Sequence, residues 1–163
     1  MAKRAMALVA LVALGLLVAV QANAAGAVQV SGDQVPDGIC GPYLEGTYTM
    51  YGSLKGCWYT TIDLVRERPS GTAQVRGTEL FDGCLDLGGD GCTSGDPAGT
   101  ISFSFQFSGK FETVFPYTEI RGRCQRQITS GTDGFAAASG VITFKDDVTT
   151  EPPQAPYRGA VRF

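Results

Sequence analysis

Residues 100–108 alternate between large apolar and polar side chains, and this pattern constrains the fold more than any other in the chain. In an extended strand, Phe103, Phe105 and Phe107 fall on one face, while the serines and the glutamine between them fall on the other. Shorter runs rich in Thr, Val, Ile, Tyr and Phe recur along the chain between clusters of Gly, Asp, Ser and Pro. This organisation is typical of an all-β protein.

The strand pattern predicts seven or so antiparallel strands and no long helix. A chain this short pairs such strands as a sandwich or as a closed barrel, and we favour an up-and-down barrel because closure leaves no exposed sheet edge. Residues 25–41 lack periodicity and are predicted to be a flexible lead-in to a barrel domain over 42–163. The predicted strands are 46–53, 57–66, 71–81, 99–112, 118–128, 140–146 and 157–163.

The first 24 residues have the pattern of a secretory signal peptide. Lys3 and Arg4 precede an uncharged run over 5–20, and Ala22 and Ala24 supply the small residues of a cleavage site. The uncharged run is about as long as a membrane span, so an uncleaved anchor is the alternative. We expect a secreted, extracellular protein whose mature form is not embedded in a membrane.

Charge and composition exclude several functional classes. Loss of Lys3 and Arg4 from the 13 basic residues leaves 11 against 16 acidic ones, a formal charge of −5, which repels nucleic acid. The chain has no histidine, which removes Ser-His-Asp triads, Cys-His dyads and imidazole zinc sites. We therefore expect no nucleic-acid partner, no metal site and no cofactor.

Five cysteines in an exported chain indicate disulfides. Cys84 and Cys92 bracket a turn-rich loop and are predicted to pair. Cys57 and Cys124 lie in strand-like segments and could bridge them, with Cys40 as the odd thiol or as the competitor for Cys57. Zinc-binding thiolates are the alternative, but no Cys-x-x-Cys spacing occurs.

The segment from Ile120 to Phe144 contains a Gly-rich turn, an aromatic residue, a small-residue stretch and a glycine before a strand. It resembles the allene oxide cyclase barrel-like family, relatives of plant dirigent proteins and allene oxide cyclases, and is similar to secreted actinobacterial members. The order Gly-Thr-Asp-Gly-Phe over 131–135 departs from the family's Gly-Thr-Gly-Asp-Phe. We expect the turn glycines to have positive φ and Phe135 to plug the barrel end. We also expect a close backbone approach at Gly140.

The resemblance implies a single small antiparallel β-barrel of about eight strands, of the calycin or allene oxide cyclase type. Its cavity would take a hydrophobic or polyene-like guest. Members of the family commonly form trimers, so a homo-oligomer, dimer or trimer, is implied in the same way. Catalysis in the family is largely steric, and such positioning needs no histidine.

Glu79 and two arginines are the candidate catalytic residues. Alternation places Glu79 on the face of its strand that carries Val75 and Phe81, and it places Arg121 and Arg123 together on another strand. Paired inside a barrel, Glu79 and one of these arginines could orient a polar ligand group or polarise a carbonyl. The alternative, which we favour, is a cross-strand surface ion pair contributing under about 1 kcal/mol.

Six aromatic residues are candidates for a hydrophobic ligand pocket, with plain core packing as the alternative. They are Trp58, Phe81, Phe103, Phe105, Phe107 and Phe144.

Three functions compete at this level. The leading one is a secreted calycin-like barrel that binds a small hydrophobic molecule without turnover. The second is a dirigent- or cyclase-type enzyme whose barrel templates ring closure. The third is a structural cell-envelope interaction protein without a ligand, which makes its contacts through the loop from Cys84 to Cys92.

Overall fold

The computed structural model describes residues 26–42, 46–112, 119–145 and 154–163, and at 119–121 it describes the backbone alone. The predicted signal peptide lies outside these residues. The described residues form eight β-strands, each antiparallel to the next, and the last pairs with the first to close a barrel. The all-β, single-barrel prediction is therefore confirmed. The strands are β1 (Val28–Val35), β2 (Thr47–Gly52), β3 (Leu54–Glu67), β4 (Thr72–Leu85), β5 (Ala98–Phe111), β6 (Glu119–Gly131), β7 (Ser139–Phe144) and β8 (Ala155–Arg162).

The prediction of a flexible lead-in over 25–41 is wrong for Val28–Val35, which is strand β1. This strand pairs with both β2 and β8, so it closes the barrel, and the domain begins at Val28 rather than at residue 42. Gly32 interrupts the alternation that would have revealed the strand. A Cβ at Gly32 would lie 1.9 Å from the Tyr51 carbonyl oxygen, so the glycine is required by close backbone packing.

All seven predicted strands are present with shifted bounds. The largest difference is the end of β4 at Leu85, four residues late, followed by the start of β3 at Leu54 and the end of β6 at Gly131, each displaced by three. Gly56 and Gly83, which lie just outside the predicted strands, oppose each other in the β3–β4 ladder. Isolated glycines inside a ladder carry no local signal that separates them from turn glycines.

One end of the barrel is sealed by Phe135, and we call it the Phe135 end. Phe135 lies in a single 3-10 turn (Asp133–Phe135), is fully buried, and packs with ring centroids 6.2 Å from Phe81 and 6.1 Å from Phe163. Its predicted role as a plug is confirmed. The positive φ in this turn, however, belongs to Asp133 (49°) rather than to the glycines on either side.

The opposite end lies where β3 ends, β4 begins and β5 ends at Phe111, and we call it the Phe111 end. Between the two ends the interior is filled by inward-pointing side chains. Phe103 and Phe105 are buried while Ser104 and Gln106 are exposed, as the alternation predicts. The largest fully buried side chains are Trp58, Phe81, Phe103, Phe135, Phe144, Met50, Leu54, Leu85, Ile101, Ile142 and Val161.

Two disulfides join described residues, Cys40–Cys57 and Cys84–Cys92, with Cα–Cα distances of 5.5 and 6.1 Å. The Cys84–Cys92 prediction is confirmed, and the Cys57–Cys124 prediction is wrong. Cys124 is buried, belongs to neither of these disulfides and shares the inward face of β6 with Arg126, whereas Cys57 is adjacent to inward-pointing Trp58 and so faces outward. The barrel wall separates the two sulfurs, and Cys40 is the partner of Cys57.

None of the described residues belongs to a helix with the length and apolar character that a membrane crossing requires.

Candidate functional site

A buried ion pair crosses the barrel interior between β4 and β6. The Arg126 Nε donates to Glu79 Oε2 at 2.5 Å and its Nη2 donates to Oε1 at 3.0 Å. The relative exposures are 4% for Glu79 and 6% for Arg126. The Thr60 hydroxyl donates a third hydrogen bond to Glu79 Oε1 at 3.2 Å. Both carboxylate oxygens thus accept hydrogen bonds, and the two from Arg126 fix the guanidinium in one orientation.

Aromatic rings enclose the Arg126 guanidinium. Its central carbon lies 3.5 Å from the ring centroid of Phe144 and 5.3 Å from that of Trp58. Trp58 in turn stacks on Phe103 with centroids 4.7 Å apart. Cation–π attraction to desolvated rings adds about 2 kcal/mol in favourable cases, so the cage and the carboxylate together hold the arginine in place.

The same cage contains hydrogen-bond donors without acceptors. Arg126 Nη1 and Trp58 Nε1 are buried and have no hydrogen-bond partner among the described residues, and neither has Gln34 Nε2. A buried donor without an acceptor costs about 1–3 kcal/mol, and more when it is charged. An acceptor supplied from outside the chain, such as a carbonyl or carboxylate oxygen, would satisfy the arginine and remove that cost.

The interior becomes less tightly filled from this cage toward the Phe111 end. Gly77, Phe105 and Arg126 oppose one another across β4, β5 and β6, and the next inward layer contains Val75 and Phe107. Val75 and Phe107 are only partly buried, whereas Cys124, which opposes Phe107 on β6, is buried. A cavity of about 610 Å³ lies beyond them, lined by Val65, Glu67, Arg68, Pro69, Gly71, Thr72, Ala73, Val75, Phe111 and Glu112.

Sequence reasoning identified one member of the ion pair. Glu79 shares a face of β4 with Phe81, as the alternation predicts; that face points inward, and the partner of Glu79 is Arg126. Arg123 is exposed on the outer wall, so its pairing with Glu79 is wrong, and the side chain of Arg121 lies outside the described residues. The favoured surface ion pair is also wrong for Glu79, because the pair is buried. A signal for Arg126 did exist, since it lies midway between Cys124 and Ile128 on the apolar face of β6.

The six aromatic candidates divide into two groups. Five of them, Trp58, Phe81, Phe103, Phe105 and Phe144, belong to the buried core, and Phe107 is partly buried. Most of this set therefore serves packing, and Trp58 and Phe144 also contact the guanidinium.

Tyr157 lies beside this cage, with its ring stacked on Phe144 at 5.4 Å. Its hydroxyl accepts a hydrogen bond from the Leu54 amide at 2.8 Å and donates to the Tyr51 carbonyl at 3.1 Å. Burial raises the pKa of Tyr157 to about 12. The hydroxyl therefore stays protonated near neutral pH and joins β8 to β2 and β3.

Among the residues that the structure describes, no cluster of three or more Cys, Asp or Glu side chains is placed to hold a metal ion. Comparisons with protein-family models, with curated proteins and with solved structures found no match. The features of the described residues that bear on function are the ion pair of the barrel interior and the cavity at the Phe111 end.

Proposed function

We propose that this chain is an exported barrel protein that binds a small, largely hydrophobic molecule carrying a hydrogen-bond acceptor. The apolar part of the ligand lies at the Phe111 end against Val65, Val75, Phe107 and Phe111, and its acceptor reaches Arg126 Nη1. The single observation that carries this proposal is the unpartnered Nη1 donor of a charged, caged and immobilised arginine.

A contribution to folding stability does not explain why the ion pair between Glu79 and Arg126 is buried. Replacing a buried ion pair by apolar residues of similar volume is often neutral or stabilising, because both charges lose their hydration on burial. A barrel that needed only a core could therefore have used leucine or methionine at Glu79 and Arg126. A fixed donor in a low-dielectric site is what recognition of a ligand acceptor requires.

Apolar surface for the body of such a ligand is present at the Phe111 end. Val65 is 51% exposed although it lies opposite Val75 in the ladder, and Phe107 and Phe111 are partly buried. Mouths of β-barrels are common sites for small ligands, and the cavity volume falls in the usual range of about 300–1,000 Å³. Two disulfides agree with an oxidising compartment outside the cytosol.

The test uses prodan, a naphthalene ketone whose emission shifts to the blue in apolar surroundings. We expect the wild-type protein to bind prodan and the double variant Glu79→Leu/Arg126→Met to bind at least tenfold more weakly. The double variant removes both charges together, so no unpaired charge is left in the core. Arg76→Gln, on the exposed face of β4, is the matched control and should bind like the wild type. Equal binding by the double variant, or no binding by the wild type, would overturn the proposal.

Native mass spectrometry of the protein purified from its own host is the companion measurement. Extra mass that disappears on denaturation would be the natural ligand, and extraction would identify its class. A wild type without extra mass and without prodan binding would favour the structural envelope role instead.

The enzyme alternative is supported by the same ion pair. A fixed guanidinium could polarise a carbonyl while the walls hold a reactive chain in a folded conformation. Turnover of the extracted ligand by the wild type, lost in Arg126→Lys while binding persists, would favour catalysis over binding.

A further inference from the structure

The outer wall of the barrel carries a groove, lined in part by basic and hydroxyl side chains, that the proposed function does not use. It has a volume of about 740 Å³ and lies where β5, β6, β7 and β8 are neighbours. In the ladders Ser108 opposes Arg123, and Thr143 opposes both Gln125 and Arg158. We call this feature the outer groove; its lining is Thr72, Ser108, Gly109, Lys110, Gly122, Arg123, Thr143, Phe144, Lys145, Pro156, Tyr157 and Arg158.

The charges of the outer groove have one sign. Lys110, Arg123, Lys145 and Arg158 are basic, and none of the described lining residues is acidic. The ion pairs between described residues are Lys55–Asp86 and Glu79–Arg126, so these four cations take part in neither. The whole chain has more acidic than basic residues, 16 against 13. Four cations in one groove of an acidic protein make that groove a local site of positive potential.

Arg123 and Arg158 are the central pair of this charge cluster. Both are exposed, and they lie on β6 and β8 with Thr143 of β7 between them. Lys110 donates a hydrogen bond to the Ser70 carbonyl, so its ammonium is already partly used. A guanidinium with its fork of donors unoccupied is the side chain best suited to bind a carboxylate.

The groove continues across the wall in both directions. A smaller depression of about 460 Å³ shares Ser108, Arg123 and Thr143 and adds Gln106 and Gln125. Another of about 510 Å³ shares Thr143 and Arg158 and adds Gln29 and Ser31 among its lining residues. The outer groove and the two depressions together form a track that crosses five adjacent strands, from β5 to β1. Four strand spacings correspond to about 19 Å. Amides and hydroxyls along it can both donate and accept hydrogen bonds.

We propose that the outer groove binds an acidic polysaccharide. Carboxylates of the sugar chain pair with Arg123 and Arg158, and its hydroxyls bond to Gln106, Gln125 and Ser31. An extended occupant fits a track of this length better than a compact anion does. A single-stranded nucleic acid would also carry negative charge, but sites for such strands combine cations with exposed aromatic side chains on which the bases stack. The aromatic residues in the lining, Phe144 and Tyr157, are buried at 0% and 3% exposure, so the groove offers no such surface.

The experiment measures binding of a six-unit oligogalacturonate by calorimetry at low ionic strength, beside its fully methyl-esterified form. We expect the acid to bind at least tenfold more tightly than the ester, with affinity falling as salt is raised. The variant Arg123→Gln/Arg158→Gln should weaken the acid at least tenfold. The matched control Arg66→Gln/Arg162→Gln removes two exposed cations that line neither the outer groove nor the two depressions beside it, and it should bind like the wild type.

A second variant distinguishes a loss of binding from a loss of folding. Gln125→Glu is nearly isosteric and exposed, and it places a carboxylate in the track beside Arg123. It should weaken the acid and leave the unfolding midpoint unchanged. The proposal is overturned if the ester binds as well as the acid, if either groove variant binds like the wild type, or if no binding is detected. Tighter binding of single-stranded oligothymidylate than of oligogalacturonate would also overturn it, in favour of nucleic acid.

Discussion

Arg126 on β6 reaches Glu79 on β4 across the barrel interior, over the intervening strand β5, with its Nε 2.5 Å from the carboxylate. Both side chains are more than nine-tenths buried, with exposures of 7% and 1%. The core therefore contains an ionic contact surrounded by aromatic residues. Each partner depends on the other, because neither charge retains its hydration there.

Removing one partner of this pair should be more harmful than removing both. We expect Arg126→Met to lower the free energy of unfolding by about 3–5 kcal/mol, because the Glu79 carboxylate is left buried without its cation. The double variant Glu79→Leu/Arg126→Met should recover most of that loss. Urea unfolding of the wild type, both single variants and the double variant provides the cycle. Additive losses in the double variant would show that the two residues stabilise the barrel independently.

Tyr157 should make the barrel sensitive to alkali. Burial raises the pKa of its hydroxyl from 10.0 to about 12, so the folded state favours the neutral form. Its contribution to stability is therefore complete below pH 10 and is lost as the pH rises through 12. Tyr157→Phe should remove this dependence and destabilise the protein by about 1–3 kcal/mol at pH 7, because the buried Leu54 amide loses its acceptor.

Thermal unfolding of the wild type and of Tyr157→Phe between pH 8 and pH 12 checks the alkaline prediction. Tyr59→Phe is the control, because its side chain is 39% exposed. A Tyr157→Phe variant that loses stability over this range as steeply as the wild type would contradict the role assigned to Tyr157.

Asp37 should contribute to acid sensitivity at the loop after β1. Its carboxylate is partly desolvated, which acts to raise its pKa, but hydrogen bonds from Thr49, Tyr51 and the Ile39 amide outweigh this effect. The pKa of Asp37 is therefore held below the usual 3.8. Both hydroxyl donors lie 2.5 Å from it. The stabilisation is present above pH 3.8 and is lost as the pH falls through the lowered value.

The acid prediction is checked by urea unfolding of Asp37→Asn between pH 7 and pH 2. The variant should be less stable at pH 7, and its stability should fall less between pH 4 and pH 2. Asp82→Asn, on the exposed face of β4, is the matched control. The assignment fails if Asp37→Asn and Asp82→Asn have the same acid profile.

The disulfide pattern gives a chemical prediction. Cys40 and Cys57 are 17 residues apart, and loss of a loop closure of this size corresponds to about 3 kcal/mol. Cys40→Ser/Cys57→Ser should therefore unfold at lower urea concentration, and Cys124→Ala should keep both disulfides. Mass mapping of a non-reduced digest should show Cys124 as the only cysteine that is alkylated after unfolding and before reduction. Recovery of a Cys57–Cys124 linked peptide would contradict the structure.

Local patterns were enough to predict the strands with strong alternation. Phe103 and Phe105 are inward and Ser104 and Gln106 outward because side chains alternate along any extended strand, and the apolar face must be buried. The pair Cys84–Cys92 was predictable for a similar reason, since a short loop brings its two ends together. Strand β1 was missed because the alternation in Val28–Val35 is broken by Gly32, and it is pairing with β2 and β8 that keeps this segment extended.

Contacts between distant segments are not specified by local patterns. Nothing in the 46 residues between Glu79 and Arg126 specifies that they meet; the closure and tilt of the barrel bring them together. The choice of Cys40 over Cys124 as the partner of Cys57 depends in the same way on which side of the wall each sulfur faces. The four cations of the outer groove are brought together from four different parts of the chain.

The sequence by itself determined the strand class, the alternation of the two faces and the residues that must be buried, because these follow from local periodicity and from the removal of apolar side chains from water. Tertiary structure decided the identity of the first strand, the partner of Glu79, the partner of Cys57 and the assembly of the outer groove. The physical reason is that register and closure bring together residues that are far apart in the chain, and local periodicity does not specify which distant residues will meet.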